Sequence, residues 1–141
     1  MLRVIKSLFG RARQDSFDPE EYERLEKAMH RAGLVEGKHY TKWVDCVKKL
    51  KRESKHQEAI ILLLQLVDAV EKESTVGGKS YGGIAPWYYE QLAILYRKEK
   101  LHQEEVDILE RYFRICKEQG FEPSELGGRL EKARLLNEAS R

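Results

Sequence analysis

Apolar residues recur along most of this chain at intervals of three and four, the spacing that gathers them on one face of a helix. Tyr22, Leu25, Met29 and Ala32 form the first such stripe, behind Asp18-Pro19-Glu20-Glu21. Asp caps well, Pro is tolerated at the first helical position, and the acids suit the positive end of the helix dipole. A helix is therefore predicted over 18–32, with Gly33 as its stop. Trp43, Cys46, Val47 and Leu50 define a second helix over 41–53, with Thr41 as its candidate cap. A tight turn at Ser54-Lys55 leads into a third helix over 56–73, which contains the most apolar run, Ala59 to Val70. That run is interrupted by Gln65 and Asp68 and is too short to span a bilayer, so it reads as the central buried helix. Tyr89, Leu92, Ala93 and Tyr96 mark a fourth helix from Pro86 to Glu99. Val106, Leu109, Phe113 and Cys116 face inward on a fifth, over 102–118, which Gly120 ends. Pro123 and Ser124 open a last helix carrying Leu126, Leu130, Ala133 and Leu136, its first turn weakened by Gly127-Gly128. Residues 34–39 are a connection and 74–85 the glycine-rich loop. Nothing alternates with period two over a useful length, so no sheet is predicted and the fold class is all-α.

Two of these helix pairs read as one unit written twice. His56-Gln57-Glu58-Ala59-Ile60 lines up with His102-Gln103-Glu104-Glu105-Val106, 46 residues later. The register extends backwards through Trp43 and Tyr89, Leu50 and Tyr96, Glu53 and Glu99, and forwards through Leu63 and Leu109, Val70 and Cys116. A repeated helix pair cannot bury its apolar face alone, so it stacks on its neighbour and leaves a groove suited to binding.

The two pairs resemble tetratricopeptide repeats over about residues 40–119. That pattern asks for Trp, Leu, Gly and Tyr on the first helix and Ala and Phe on the second. The first copy offers Trp43, Cys46, Val47 and Leu50, then Ala59 and Leu63. The second offers Tyr89, Leu92, Ala93 and Tyr96, then Glu105 and Leu109. Glu105 stands where a small residue is usual, which implies looser packing or a different angle in the second pair. The period also exceeds the usual length of about 34. The resemblance implies antiparallel hairpins stacked as a short right-handed superhelix, with repeats at about 40–74 and 86–120 and flanking helices at both ends. A plain antiparallel helical bundle satisfies the same periodicity.

With 141 residues the chain suits one domain, over 18–141, behind a basic segment at 1–17. Its 35% of charged residues and three prolines favour helix. The net charge of +2 is unevenly spread. Residues 1–14 hold Arg3, Lys6, Arg11 and Arg13 and no acid, and residues 38–55 hold seven Lys or Arg against Asp45 and Glu53. This asymmetry admits a local acidic or phosphate partner, while the nearly balanced total disfavours a general nucleic-acid binder. Leu2, Ile5 and Phe9 would share one face of a short helix within 1–13, which stays open between a tail, a membrane-surface contact and a targeting segment. Cys46 and Cys116 lack paired spacing and read as reduced thiols in a cytoplasmic protein.

Candidate chemistry is sparse. Gly77-Gly78-Lys79-Ser80 is similar to the end of a phosphate-binding loop, but Glu73 stands where that loop needs Gly, and a helix precedes it instead of a strand. His30, His39, His56 and His102 show no metal-ligand spacing. No nucleophile motif or acid–base carboxylate pair is marked, so neither a cofactor nor an enzyme is expected. The repeat resemblance implies instead a protein-binding groove lined by the first helix of each pair. Its outward residues are Thr41, Val44, Lys48, Lys51 and Arg52 on one helix and Trp87, Glu90, Ile94, Arg97 and Lys98 on the other. The expected site comprises Lys48, Lys51, Arg52, Trp87, Glu90, Arg97 and Lys98, a basic surface with an aromatic edge suited to an acidic peptide. Family members that clamp C-terminal carboxylates use Asn on this face, and none occurs here. Self-association is a further expectation, since two repeats make a short stack. The alternative is a nucleic-acid or anionic-membrane binder using the basic N-terminal segment and helix 41–53.

Overall fold

The computed structural model describes residues 17–78, 83–123 and 126–141. The expectations for residues 1–14, and for Lys79 and Ser80 of the glycine loop, lie outside the described residues. The described chain is all-α apart from one very small hairpin. In order it forms α1 (Pro19–Ala32), β1 (Leu34–Val35), β2 (Lys38–His39), a 3-10 turn (Tyr40–Trp43), α2 (Val44–Arg52), α3 (His56–Gly77), α4 (Trp87–Lys98), α5 (His102–Glu118) and α6 (Gly127–Ala139).

Helix α1 begins as its sequence dictates. The Asp18 side chain accepts the Glu20 N–H at 3.0 Å, and Pro19 occupies the first turn. None of its residues is fully buried, and it lies along α3.

The segment after Gly33 corrects the sheet-free expectation. Leu34 pairs with His39 and Val35 with Lys38 in an antiparallel ladder. Glu36 and Gly37 make the turn, both at positive φ (48° and 84°), which is the two-residue geometry that matches the twist of paired strands. Two-residue strands are too short to show alternation, so the pattern was silent there. Trp43 Nε1–H donates to the Val35 carbonyl at 3.1 Å, and Lys38 Nζ lies 4.0 Å from the Trp43 ring centroid. Thr41 is not a cap: His39 caps the 3-10 turn, its Nδ1 accepting the Thr41 N–H, and α2 follows Trp43 with no side-chain cap bond.

The duplication is visible in the backbone. Ser54 and Lys100, equivalent positions, both adopt left-handed φ (57° and 60°). The next residue donates back to the same place in each copy, Lys55 N–H to the Leu50 carbonyl at 2.9 Å and Leu101 N–H to the Tyr96 carbonyl at 2.8 Å. This closes each first helix and turns the chain into the second. Cys116 and Phe121 repeat the bond at the end of α5, with Gly120 at the left-handed position.

Helix α3 runs to Gly77, four residues past its expected end, with Glu73, Ser74 and Gly77 buried. It packs on α1, α2 and α4, while α5 packs on α4 and α6. Leu63, Leu66, Val67 and Val70 from α3 meet Val47, Tyr89, Leu92, Leu109, Tyr112 and Cys116 in one core. Each such Leu contributes roughly 1.5–3 kcal/mol through burial. Phe113, expected inward, is only half-buried, and its neighbour Tyr112 takes the core position instead. Tyr112 sits 5.2 Å from Tyr89, ring to ring, which joins the fifth helix to the fourth in the core.

The last helix repeats the pattern of α4. Aligned on their C-cap residues, Ser140 with Glu99, Leu130 falls on Tyr89 and Ala133 on Leu92, and all four are buried. Thus α6, which packs on α5, buries the positions that α4 buries, although α6 begins at Gly127 and not at Pro123.

Candidate functional site

The expected groove residues divide into three groups. Lys51, Glu90 and Lys98 come together. Lys51 Nζ crosses from α2 to donate to Gln91 Oε1 on α4, and Gln91 is itself buried. Partial burial lowers the Lys51 pKa from its ordinary value. The positive charge of Lys98 pushes the same way, and Glu90 opposes it. Two ammonium groups and one carboxylate therefore share this face. Lys48 and Arg52 remain exposed on α2, where they widen the basic surface.

Trp87 stands apart from that cluster. It lies at the opposite end of α4 from Lys98, about 16 Å along the axis, half-buried with its ring edge-on to Tyr88 at 5.0 Å. Ile94 and Val44 are half-buried and Thr41 is exposed, its Oγ1 2.9 Å from His39 Nδ1.

Arg97 is the third group: its side chain is partly exposed, but its guanidinium is paired with Glu105 on α5, which is fully buried. Arg97 Nε–H donates to Glu105 Oε2 at 2.9 Å, and Nη2 lies 2.6 Å from the same oxygen as an ion-pair contact without hydrogen-bond alignment. Glu105 thus occupies the small-residue place as a fully buried, paired carboxylate. It keeps one buried oxygen, Oε1, with no hydrogen-bond partner among the described residues.

Two polar clusters escaped the sequence reading. In the first, Glu73 is 7% exposed. Its Oε1 lies 2.5 Å from His39 Nε2, and its Oε2 accepts the Tyr40 hydroxyl at 2.9 Å. Gly33 makes room for this pair, since a Cβ there would sit 2.7 Å from both Glu73 Oε1 and His39 Nε2. Tyr88 lies edge-on to Tyr40 at 5.4 Å, and burial, with Glu73 second, pushes its hydroxyl up to about 12. In the second, Arg111 on α5 binds Glu71 through Nε (2.8 Å) and Asp68 through Nη2 (2.7 Å), while Tyr89 donates to Glu71 at 2.8 Å. The available signal for Glu73 was an acid three residues after Val70 and seven after Leu66, in the register of the buried face.

Other readings are limited by the same geometry. Glu73 belongs to α3 and is held by His39 and Tyr40, which does not suit a phosphate loop running through Gly77 and Gly78. Among the described residues, no three His, Cys, Asp or Glu side chains are placed to hold a metal, and no helix is long and apolar enough to cross a membrane. A groove of about 460 Å³ does open between α3 and α5, over Val76 and Ile115, and of the three acids that line it Asp68 and Glu71 are engaged by Arg111 while Glu118 is exposed.

The chain finds no match among protein-family models, curated proteins or solved structures.

Proposed function

We propose that this chain is a non-catalytic interaction module that holds an acidic protein segment on the joint face of α2 and α4. The observation that carries the reading is the meeting of Lys51 and Lys98 beside buried Gln91, with Glu90 as the one opposing carboxylate. A carboxylate side chain from a partner would lie between the two ammonium groups and relieve their repulsion. Lys48 and Arg52 extend the attraction along α2, and half-buried Trp87 offers an apolar contact further along the bound segment. The hairpin repeat supports the same reading, since stacked helix pairs of the tetratricopeptide kind present such faces to extended peptides. Arg97, tied to Glu105, has no part in it.

The test uses an array of immobilised 15-residue peptides of varied charge, probed with the wild-type chain and with a Lys51→Glu/Lys98→Glu double variant. Bound peptides should be enriched in Asp and Glu, and the enrichment should vanish in the double variant. A bound set without acidic enrichment ends this reading. Preference for oligonucleotides or anionic vesicles, strongly dependent on salt, would replace it with the nucleic-acid or membrane alternative.

A further inference from the structure

Between α3 and α5 runs a seam with a hollow toward each end. One, of about 460 Å³, lies over Val76 and Ile115, and the other, of about 170 Å³, over Leu64 and Ile108. Large apolar side chains stay in water at both ends. Val76 is 41% exposed, and Ile61, one turn before Leu64 on the same face of α3, is 58% exposed. Carboxylates dominate the polar lining: Asp68, Glu71, Glu104, Asp107 and Glu118 stand against Lys72 and Arg111. Arg111 is bound by Asp68 and Glu71, and among the described residues Glu104, Asp107 and Glu118 have no ion-pair partner.

The chain carries the complement of this surface in residues 1–13, which lie outside the described residues. They hold Arg3, Lys6, Arg11 and Arg13, no acid, and the apolar stripe of Leu2, Ile5 and Phe9. Their point of attachment is also well placed. Gly33, just after α1, lies against Glu73 near the end of α3, and α1 lies along α3. Helix α1 extends about 21 Å and the stretch of α3 from Glu73 back to Ile61 about 18 Å, so Phe17 stands toward the Ile61 end. From Phe17, the linker Gln14-Asp15-Ser16 can reach about 14 Å, more than the width of one helix.

We infer that residues 1–13 of this chain dock along the seam between α3 and α5. The stripe of Leu2, Ile5 and Phe9 covers Ile61 and Leu64, and the cations beside it meet Glu104 and Asp107. Opposite charge guides the segment to the seam, and burial of the apolar side chains holds it there. A segment on so short a tether acts at an effective concentration of about 1 mM, well above that of a second copy in dilute solution. The docking uses a different face from the joint surface of α2 and α4 and stands independently of the function proposed for that surface.

The experiment places a nitroxide on Ser7→Cys in the full chain, with Cys46→Ser to remove the accessible thiol; Cys116 is buried. Methyl NMR then reads paramagnetic broadening. Ile61, Leu64 and Ile108 should broaden several-fold more than Val35 and Val44. Glu104→Lys/Asp107→Lys on the seam should abolish that difference, and so should Lys6→Glu/Arg11→Glu on the segment. Circular dichroism checks that each double variant keeps its helices, and the second changes no residue of the described fold. Broadening that does not favour Ile61, Leu64 and Ile108, or that survives a charge reversal in a folded chain, overturns the inference. A mixture of nitroxide-labelled chain and separate isotope-enriched chain tests the source. Equal broadening carried between molecules would assign the seam to a second copy and overturn docking by the chain's own segment. Absence of broadening, with the nitroxide immobilised on anionic vesicles, would overturn it in favour of a membrane surface.

Discussion

Ala59 and Glu105 hold the same place in the two hairpins, and both are fully buried. In the first hairpin the methyl group asks nothing of its surroundings, so the cation at the matching position of the preceding helix, Lys51, is left to reach across to α4. In the second hairpin the carboxylate needs a counter-charge, and the matching cation, Arg97, turns inward to supply it. One substitution in the second helix of a pair thus goes with a change of partner for the cation on its first helix, from Gln91 on the next pair to Glu105 within its own. The same contrast recurs at the far ends of these helices. Glu73 is bound by His39 and Tyr40 from the hairpin segment after α1, whereas its equivalent Gln119 turns back to Ser74 and Thr75 on α3. Glu73 is braced by the segment that leads into its own copy, and Gln119 by the end of the preceding copy's long helix.

The sharpest way to break this comparison is to remove one partner of the buried pair. Arg97→Met leaves Glu105 without its counter-charge and should cost about 3–5 kcal/mol in urea unfolding. Adding Glu105→Leu to that variant should recover most of the loss. A double variant as unstable as the single one would mean that packing, and not charge, governs the site. The first copy has its own counterpart in Gly33→Ala, where the new Cβ meets Glu73 and His39. It should cost about 1–3 kcal/mol by overpacking, read from the same urea curves.

Alkali should also tell the copies apart. Trp43 in the first hairpin has no proton to lose in that range, whereas its equivalent Tyr89 and the adjacent Tyr88 are both buried phenols. For a group whose folded pKa is raised, the native state binds the proton more tightly, so stability is full below the unfolded value near 10 and falls as pH rises beyond it. With Tyr88 pushed up to about 12, the loss should develop between those limits. Tyr88→Phe should flatten the alkaline limb of a stability–pH curve by roughly 1–2 kcal/mol, allowing for screening at its hydroxyl.

The smallest contrast lies at the inter-helix turns. His56 Nδ1 sits 2.6 Å from Glu99 Oε2, but His102 Nδ1 is buried without a hydrogen-bond partner among the described residues. His56→Ala should therefore cost about 0.5–1 kcal/mol, while His102→Leu should be neutral or slightly stabilising, because it removes a desolvated polar atom. Thermal melts of the pair suffice to rank them.

Much of this was legible in the sequence because it rests on periodicity. The helices, the glycine stops and the equivalence of Ser54 with Lys100 follow from spacing, and so does the burial of Leu63, Leu109 and Tyr89. What periodicity cannot express is the pairing of long polar side chains across helices. Lys51 and Lys98 could be placed on one face, but the bond to Gln91 depends on how α2 leans on α4. Arg97 has the outward spacing of a groove residue, and only the reach of its side chain to Glu105 removes it. The short hairpin at 34–39 depended on turn chemistry at Glu36-Gly37, which two residues of strand on either side could not announce. Choosing Phe113 over Tyr112 for the core failed for a related reason: adjacent aromatics leave the helical phase ambiguous by one residue.

Helix α3 is about 33 Å long, and α1, α2 and α4 pack on it while Arg111 of α5 is bonded to it. Arrays of stacked hairpins commonly melt in steps, one unit at a time from the ends. Here the inner four helices, α2 to α5, share a common beam, so neither hairpin can detach while the other stays intact. Unfolding of that block should follow a single cooperative transition, with α6, which packs on α5, the element free to fray ahead of it. Hydrogen exchange would show this as one protection level for α2 to α5 and a lower one for Leu130 to Ala139.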